Sequence, residues 1–282
     1  MGEQPSTFNL EPVTRFRLLR HGPATGAENM AIDEAITMAI AEGLAPPTLR
    51  FYAWAPPCVS LGRNQKYADI DIARCAAHGY DIVRRPTGGR AILHTDELTY
   101  SVIAPPDHPL MAGLVLDSYL RLSAGLVAGL VRLGIAAEPA PGTNRAGPDV
   151  SAACFEVPSA YEIVAGTRKV LGSAQARRAR SVLQHGSLPL TGDLTRVVDS
   201  LAFADEAERE ALRNSLQGHA VTAEELAGRP ISYAEAETAM IAGFGEALAV
   251  DLVFGELTDA ERAWAAELRR DRYGSAEWTA RV

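Results

Sequence analysis

Apolar residues recur every three to four positions between Gly26 and Glu42 (GAENMAIDEAITMAIAE), at Met30, Ala31, Ala35, Met38 and Ala39. That period predicts a helix, stopped by Gly43 and the Pro46-Pro47 pair. The same criterion predicts a long helix over Leu114–Leu133 ended by Gly134, a short one over Ile70–His78 closed by Gly79, and helices at Tyr233–Val250 and Asp259–Arg270. Strand patterns are short and concentrated before residue 190. The apolar run Phe16–Leu19 reads as an edge strand. Thr48–Trp54, Val59–Leu61, Tyr80–Arg84, Ala91–His94, Leu98–Ile103 and Val182–Leu190 are predicted as further strands. Tyr161–Val164 and Lys169–Leu171 read as a hairpin joined by Ala165-Gly166-Thr167-Arg168, followed by a small-residue turn at Gly172-Ser173-Ala174. Pro139–Asp149 is too rich in Pro and Gly for a regular element.

Strands first and helices afterwards predict an α+β fold, a mixed β-sheet flanked by helices. One catalytic domain spanning 1–282 is expected, with a sheet-rich core over about 16–200 and a helical segment over about 201–282 packed on it.

Composition narrows the function classes. The chain of 282 residues is 47% hydrophobic and 22% charged, with a net charge of -8, which argues against general nucleic-acid affinity. No apolar run approaches membrane-spanning length, and the N-terminal stretch lacks the layout of a signal peptide. Three cysteines, at 58, 75 and 154, make no disulfide framework. A cytoplasmic protein with reduced thiols is expected.

Cys58 and Cys75 sit at apolar positions of a strand and a helix and read as small buried hydrophobes. Cys154 differs. It lies between an irregular loop and Pro158, and the stretch from Ile163 to Thr191 carries Arg168, Lys169, Arg177, Arg178 and Arg180 with no acid. Positive surroundings favour the thiolate, the form that attacks. Lys169 begins the run Lys169-Val170-Leu171, a poor setting for an exposed side chain. It could act as a base when desolvated, or hold a thiolate while charged; either role suits a Cys/Lys dyad. In Arg84–His94 (RRPTGGRAILH) a Gly-Gly turn lies among arginines. Such a turn can cradle a phosphate or carboxylate, although on this evidence alone a plain hairpin turn with surface arginines is the better reading. It is neither Gly-x-Gly-x-x-Gly nor a P-loop. His94 and His185 sit among apolar neighbours, and no cluster has metal-ligand spacing, so no metal is expected.

Four stretches together resemble the catalytic domain of the biotin/lipoate ligase superfamily, and within it the octanoyltransferases of lipoyl synthesis of the LipM type. They are Glu28–Ala35 (ENMAIDEA), Ser60–Gln65 (SLGRNQ), Arg84–Ala91 (RRPTGGRA) through His94, and Cys154-Phe155 through Gly186. The family pattern has serine where Thr87 stands and a third glycine where Arg90 stands. The resemblance implies a tunnel for a medium acyl chain, catalytic roles for Cys154 and Lys169, and substrate contacts from Arg84, Arg85, Thr87, Gly88, Gly89, Arg90, His94, Gly172, Ser173, Ala174, Gln175, His185 and Gly186. It implies an octanoyl-acyl carrier protein as donor, with no cofactor. The acceptor would be the lysine of a lipoyl domain such as that of the glycine-cleavage H protein. Lys169 occupies the position that lowers the cysteine's pKa in the family. The basic run Arg168–Arg180 is expected to steer these acidic partners. The rival activities on this fold are an ATP-dependent lipoate–protein ligase, which forms an acyl-adenylate, and an amidotransferase moving octanoyl between lipoyl domains. A non-catalytic carrier is the reading from outside enzymology.

Overall fold

The computed structural model describes residues 14–140 and 162–282. The chain runs β1 (Thr14–Ala24), α1 (Gly26–Ala41), β2 (Thr48–Trp54), β3 (Cys58–Leu61), α2 (Ile72–Ala77), β4 (Asp81–Arg84), β5 (Ile92–His94), β6 (Glu97–Ala104), α3 (Val115–Arg132) and β7 (Glu138–Pro139). After the second break in description come β8 (Ile163–Ala165), β9 (Arg168–Arg177), β10 (Val182–Pro189), α4 (Glu206–His219), α5 (Ala223–Ala227), α6 (Tyr233–Ala247), β11 (Val250–Phe254), α7 (Asp259–Leu268) and α8 (Ala276–Thr279). Eight strands form a mixed sheet in the order β11-β1-β2-β6-β10-β9-β8-β7, and β4-β3-β5 form a second, small sheet.

Helices cover both faces of the large sheet. On one face α3 and α6 pack over Leu18, Phe51, Tyr100 and Val102. Their close approach depends on glycine, since a Cβ at Gly243 would lie 2.3 Å from the Gly129 backbone nitrogen. On the other face α1 and α7 pack over Leu19, Ile103 and Leu183. The mixed sheet with flanking helices is as expected from the sequence.

Three details differ. Phe16–Leu19 is not at an edge: β1 pairs in parallel with both β11 and β2, which is why these residues are buried on both faces. The outer strand is β11, drawn from a segment expected to be helical; α6 stops at Ala247, and Ala249 turns the chain with φ 50°. The C-terminal segment is therefore not purely helical, and it completes the sheet. Gly172-Ser173-Ala174 is not a turn but the middle of the ten-residue strand β9, whose residues 172–177 pair with β10. Its small residues read as a turn because the pattern that marks loops also suits a strand that must leave space above it.

Candidate active site

The strand registers explain where a cavity forms. Tyr52 pairs with Thr99, Thr99 with Ser187 and Ser187 with Gly172. Two residues along, Arg50 pairs with Ser101, Ser101 with His185 and His185 with Ala174. Directly paired residues point to the same face, here the α1 face, and on β9 both rows end in small residues, Gly172 and Ala174. The space above them is bounded by Met30 of α1 and by Ser60, Arg85, Gly89, Ile92 and His94 of the small sheet and its loops. Tyr52 and Trp54 wall one side, and Glu162 also borders it.

Two buried polar networks line this space. In the first, Arg85 Nη1 donates to the Ser60 hydroxyl at 3.1 Å, which lies 2.7 Å from His94 Nε2; His94 Nδ1 is 2.6 Å from Glu97 Oε1. Because the guanidinium can only donate, the Ser60 proton is free to go to His94 Nε2, leaving Nδ1–H for the carboxylate. Trp54 stacks on the His94 ring at 3.9 Å and donates through Nε1 to Thr99 Oγ1, which donates to Glu97. Burial alone would push the Glu97 carboxyl up, but His94 and the surrounding donors hold it below the usual range.

The second network centres on Asp33, in the middle of α1 and fully buried. Its carboxylate accepts from Arg50 Nη1 at 2.7 Å, Ser101 Oγ at 2.9 Å and Tyr52 OH at 3.0 Å. His185 Nδ1 lies 3.6 Å away, too long for a good hydrogen bond but close enough for electrostatic coupling, while its Nε2 is 2.7 Å from Thr87 Oγ1. Burial opposes the Asp33 charge, yet Arg50 and His185 keep its carboxyl below the ordinary value. Burial pushes the His185 pKa down, against the pull of Asp33.

Lys169 is fully buried, and its Nζ pairs with the Glu162 carboxylate. It enters β9 directly after the β8–β9 hairpin, whose Gly166 takes φ 61°. Cys154 lies outside the described residues. The other two thiols are buried. Burial raises the Cys58 thiol far above its ordinary value and the Cys75 thiol to about 11, as befits packing residues.

Of the remaining residues expected at the site, Arg85, Gly89, His94, Gly172, Ser173, Ala174, His185 and Gly186 border the cavity. Gly186 has no room for a side chain, since a Cβ would lie 2.5 Å from the Gly172 carbonyl. Thr87 reaches it only through His185, and Gly88 is exposed at the loop tip. Arg84 is not a ligand-facing cation. It is fully buried and donates to the carbonyls of Gly62, Gln65 and Thr279. Arg90 gives its carbonyl to Arg85. Gln175 falls on the α3 face by strand alternation and bonds Ser118 and Gln184.

The run Arg168–Arg180 is not the open positive patch expected. Arg168 pairs with Glu225, Arg178 with Glu34 and Arg180 with Glu42, Lys169 is buried, and Arg177 donates to the carbonyls of Met111 and Gly113. The neutralising acids come from distant segments, which composition along one stretch does not reveal. Sequence reasoning also passed over Asp33, Arg50, Tyr52, Trp54, Ser60, Glu97 and Glu162. A signal for Asp33 existed, an acid inside an otherwise apolar helix stripe. Among the described residues no group of three or more His, Cys, Asp and Glu is placed to hold a metal ion, and no helix is long and apolar enough to cross a membrane.

The chain matches the family model described as the lipoyl protein ligase A/B catalytic domain over residues 25–245. It is 42% identical over 264 residues to the octanoyltransferase LipM of Carboxydothermus hydrogenoformans, covering 93% of this chain and 97% of the relative. The octanoyltransferase LipM of Moorella thermoacetica is 44% identical over 272 residues, covering 96% and 99%. Among solved structures, an archaeal bi-partite lipoate protein ligase studied with its E2 lipoyl domain, from Thermoplasma acidophilum, superposes with a TM-score of 0.80 at 26% identity, covering 95% of this chain and 96% of that one. A lipoate-protein ligase A bound with ATP gives 0.78 at 26% identity, covering 94% and 98%.

Proposed function

The chain belongs to the lipoyl protein ligase A/B catalytic domain family, and from that premise we propose that this acyltransferase moves an octanoyl group from octanoyl-acyl carrier protein to the lysine of a lipoyl domain, such as that of the glycine-cleavage H protein. In the first half-reaction the Cys154 thiolate attacks the thioester carbonyl, the carbon–sulfur bond to the carrier breaks, and the leaving thiolate takes up a proton. In the second, the acceptor amine attacks the Cys154 thioester, an amide forms, the amine's proton is lost to a base, and the cysteine sulfur leaves as thiolate. The donor arrives activated, so no ATP and no cofactor are needed.

The observation that carries this reading is the slot above Gly172, Ala174 and Ser187, bordered by Glu162, whose carboxylate pairs with the fully buried Lys169. An apolar chain gains from leaving water there, and the Lys169 ammonium is the charge that would hold the thiolate. Relatives named octanoyltransferases at 42–44% identity favour transfer over the ligation named for the structural neighbours at 26%, one of them bound with ATP. The reading treats the whole chain as one catalytic domain, since β11 extends the same sheet, and places it in the cytoplasm with its substrates.

Intact-mass measurement after incubation with octanoyl-acyl carrier protein, without ATP, tests the reading. An added octanoyl group is expected, labile to hydroxylamine and absent from Cys154→Ala. Labelling that requires ATP, or that persists in Cys154→Ala, would favour the ligase.

A further inference from the structure

Most cations of this chain are neutralised where they stand, which gives weight to those that are not. Arg63, Lys66 and Arg281 have no carboxylate within 4.0 Å among the described residues, and Arg63, Lys66 and Arg281 are all exposed. They converge through the buried Arg84. Its guanidinium binds the carbonyls of Gly62, Gln65 and Thr279, and its own carbonyl accepts from Trp278 Nε1 at 2.9 Å. Tyr67 N–H donates to an oxygen of the Val282 terminal carboxylate, and Arg281 Nη2 donates to the Arg63 carbonyl at 3.1 Å. Trp278 is held between the guanidiniums of Arg272 at 3.8 Å and Arg281 at 3.6 Å.

This surface adjoins the cavity wall. Arg63 N–H donates to the Thr87 carbonyl, and Gly62 packs against Gly89, which borders the cavity. The segments 62–66, 84–90 and 278–282 contain no Asp or Glu, so that the terminal carboxylate of Val282 is outnumbered by their cations, in a chain whose net charge is -8. Burial and the neighbouring Arg63 and Arg272 make the Arg281 charge harder to hold, an unfavourable grouping within the free protein. A molecule of net negative charge repels an acidic partner on average, and a patch without Asp or Glu favours one orientation and raises the on-rate.

We propose that Arg63, Lys66 and Arg281 form the docking rim for the acidic surface of the carrier protein that delivers the acyl group. The inference rests on the transferase reading for the identity of its partner, and it assigns the steering role to segments other than the Arg168–Arg180 run.

The test uses the full chain, a fluorescently labelled acyl carrier protein for anisotropy, and two thioester donors: octanoyl-acyl carrier protein, and octanoyl-pantetheine, which has neither protein nor phosphate. For Arg63→Glu/Lys66→Glu, Kd and KM for the carrier should rise at least about tenfold at low ionic strength, with the difference shrinking at about 0.5 M salt. Transfer from octanoyl-pantetheine should match wild type. Arg281→Glu should act in the same direction, with a thermal melt confirming that it folds. Unchanged Kd and KM, an equal loss on octanoyl-pantetheine, or a wild type that does not bind the carrier overturns the proposal. A wild type that binds the carrier in a rim-dependent way but transfers nothing defeats the transferase reading and leaves the rim supported.

Discussion

Gly62 and Gly89 touch backbone to backbone: a Cβ on Gly62 would lie 1.9 Å from the Gly89 carbonyl oxygen. This contact seats the Ser60–Gln65 stretch against the Arg84–Ala91 stretch and so fixes one wall of the cavity. Rotation of a side chain cannot relieve a clash made by Cβ itself. Gly62→Ala is expected to destabilise the protein by about 1–3 kcal/mol through forced backbone movement. Gly88→Ala, with nothing within 4 Å, should stay within about 0.5 kcal/mol. Urea denaturation of the two variants checks this, and equal effects would remove the contact from its assigned role.

His21 accepts from Arg50 Nε through Nδ1 at 2.8 Å. Arginine can only donate, so that nitrogen must keep its lone pair. Burial first, and Arg50 second, lower the His21 pKa to about 4. A folded value below the unfolded one of about 6.5 means the unfolded chain binds more protons between these limits, so stability is complete above about pH 6.5 and falls as pH drops toward 4. His108 and His185 shift in the same direction. His21→Asn, which keeps an acceptor for Arg50 but does not titrate, should reduce the slope. Denaturant midpoints at about pH 7, 5.5 and 4.5 would show it; an identical slope in the variant would refute the assignment.

The two kinds of structure were unequally legible in the sequence. Periodicity located α1, β2 and α3 because each carries its own pattern. It missed β11, five residues whose strand state is decided by β1 alongside rather than by their own Ala-rich context. The site divides in the same way. His94, Gly172 and His185 lay in recognisable stretches. Glu97, Asp33 and Glu162 act through partners brought together only by folding, and the apparent positive field of Arg168–Arg180 vanished once Glu34, Glu42 and Glu225 took their places beside it.

Neighbouring residues of β9 make opposite predictions. Ala174 faces the cavity, whereas Ser173 turns its hydroxyl to the other face, 2.8 Å from Tyr100 OH. Ala174→Leu should cut octanoyl transfer at least about tenfold by occupying the acyl slot, with little change in melting temperature. Ser173→Ala should instead cost about 1 kcal/mol of stability and spare transfer. Rates and melts measured on both would expose the error if the effects were reversed.

The pair Lys169–Glu162 yields the most discriminating test, because one ammonium would then serve two anions. Glu162→Gln removes the carboxylate from a buried cation, and loss of one partner of a buried pair costs about 3–5 kcal/mol; urea denaturation should show a loss of that size. Its effect on chemistry has the opposite sign. With Glu162 neutral, a Cys154 thiolate held by this ammonium would meet one competing anion fewer, so iodoacetamide should react at lower pH than in wild type. Lys169→Met removes the cation and leaves a carboxylate beside the site, so the reaction should move to higher pH. Both profiles can be read by intact mass under conditions where circular dichroism shows the variants folded. A shift of both in the same direction would mean that the ammonium does not mediate between carboxylate and thiol, and the proposed dyad would have to be abandoned.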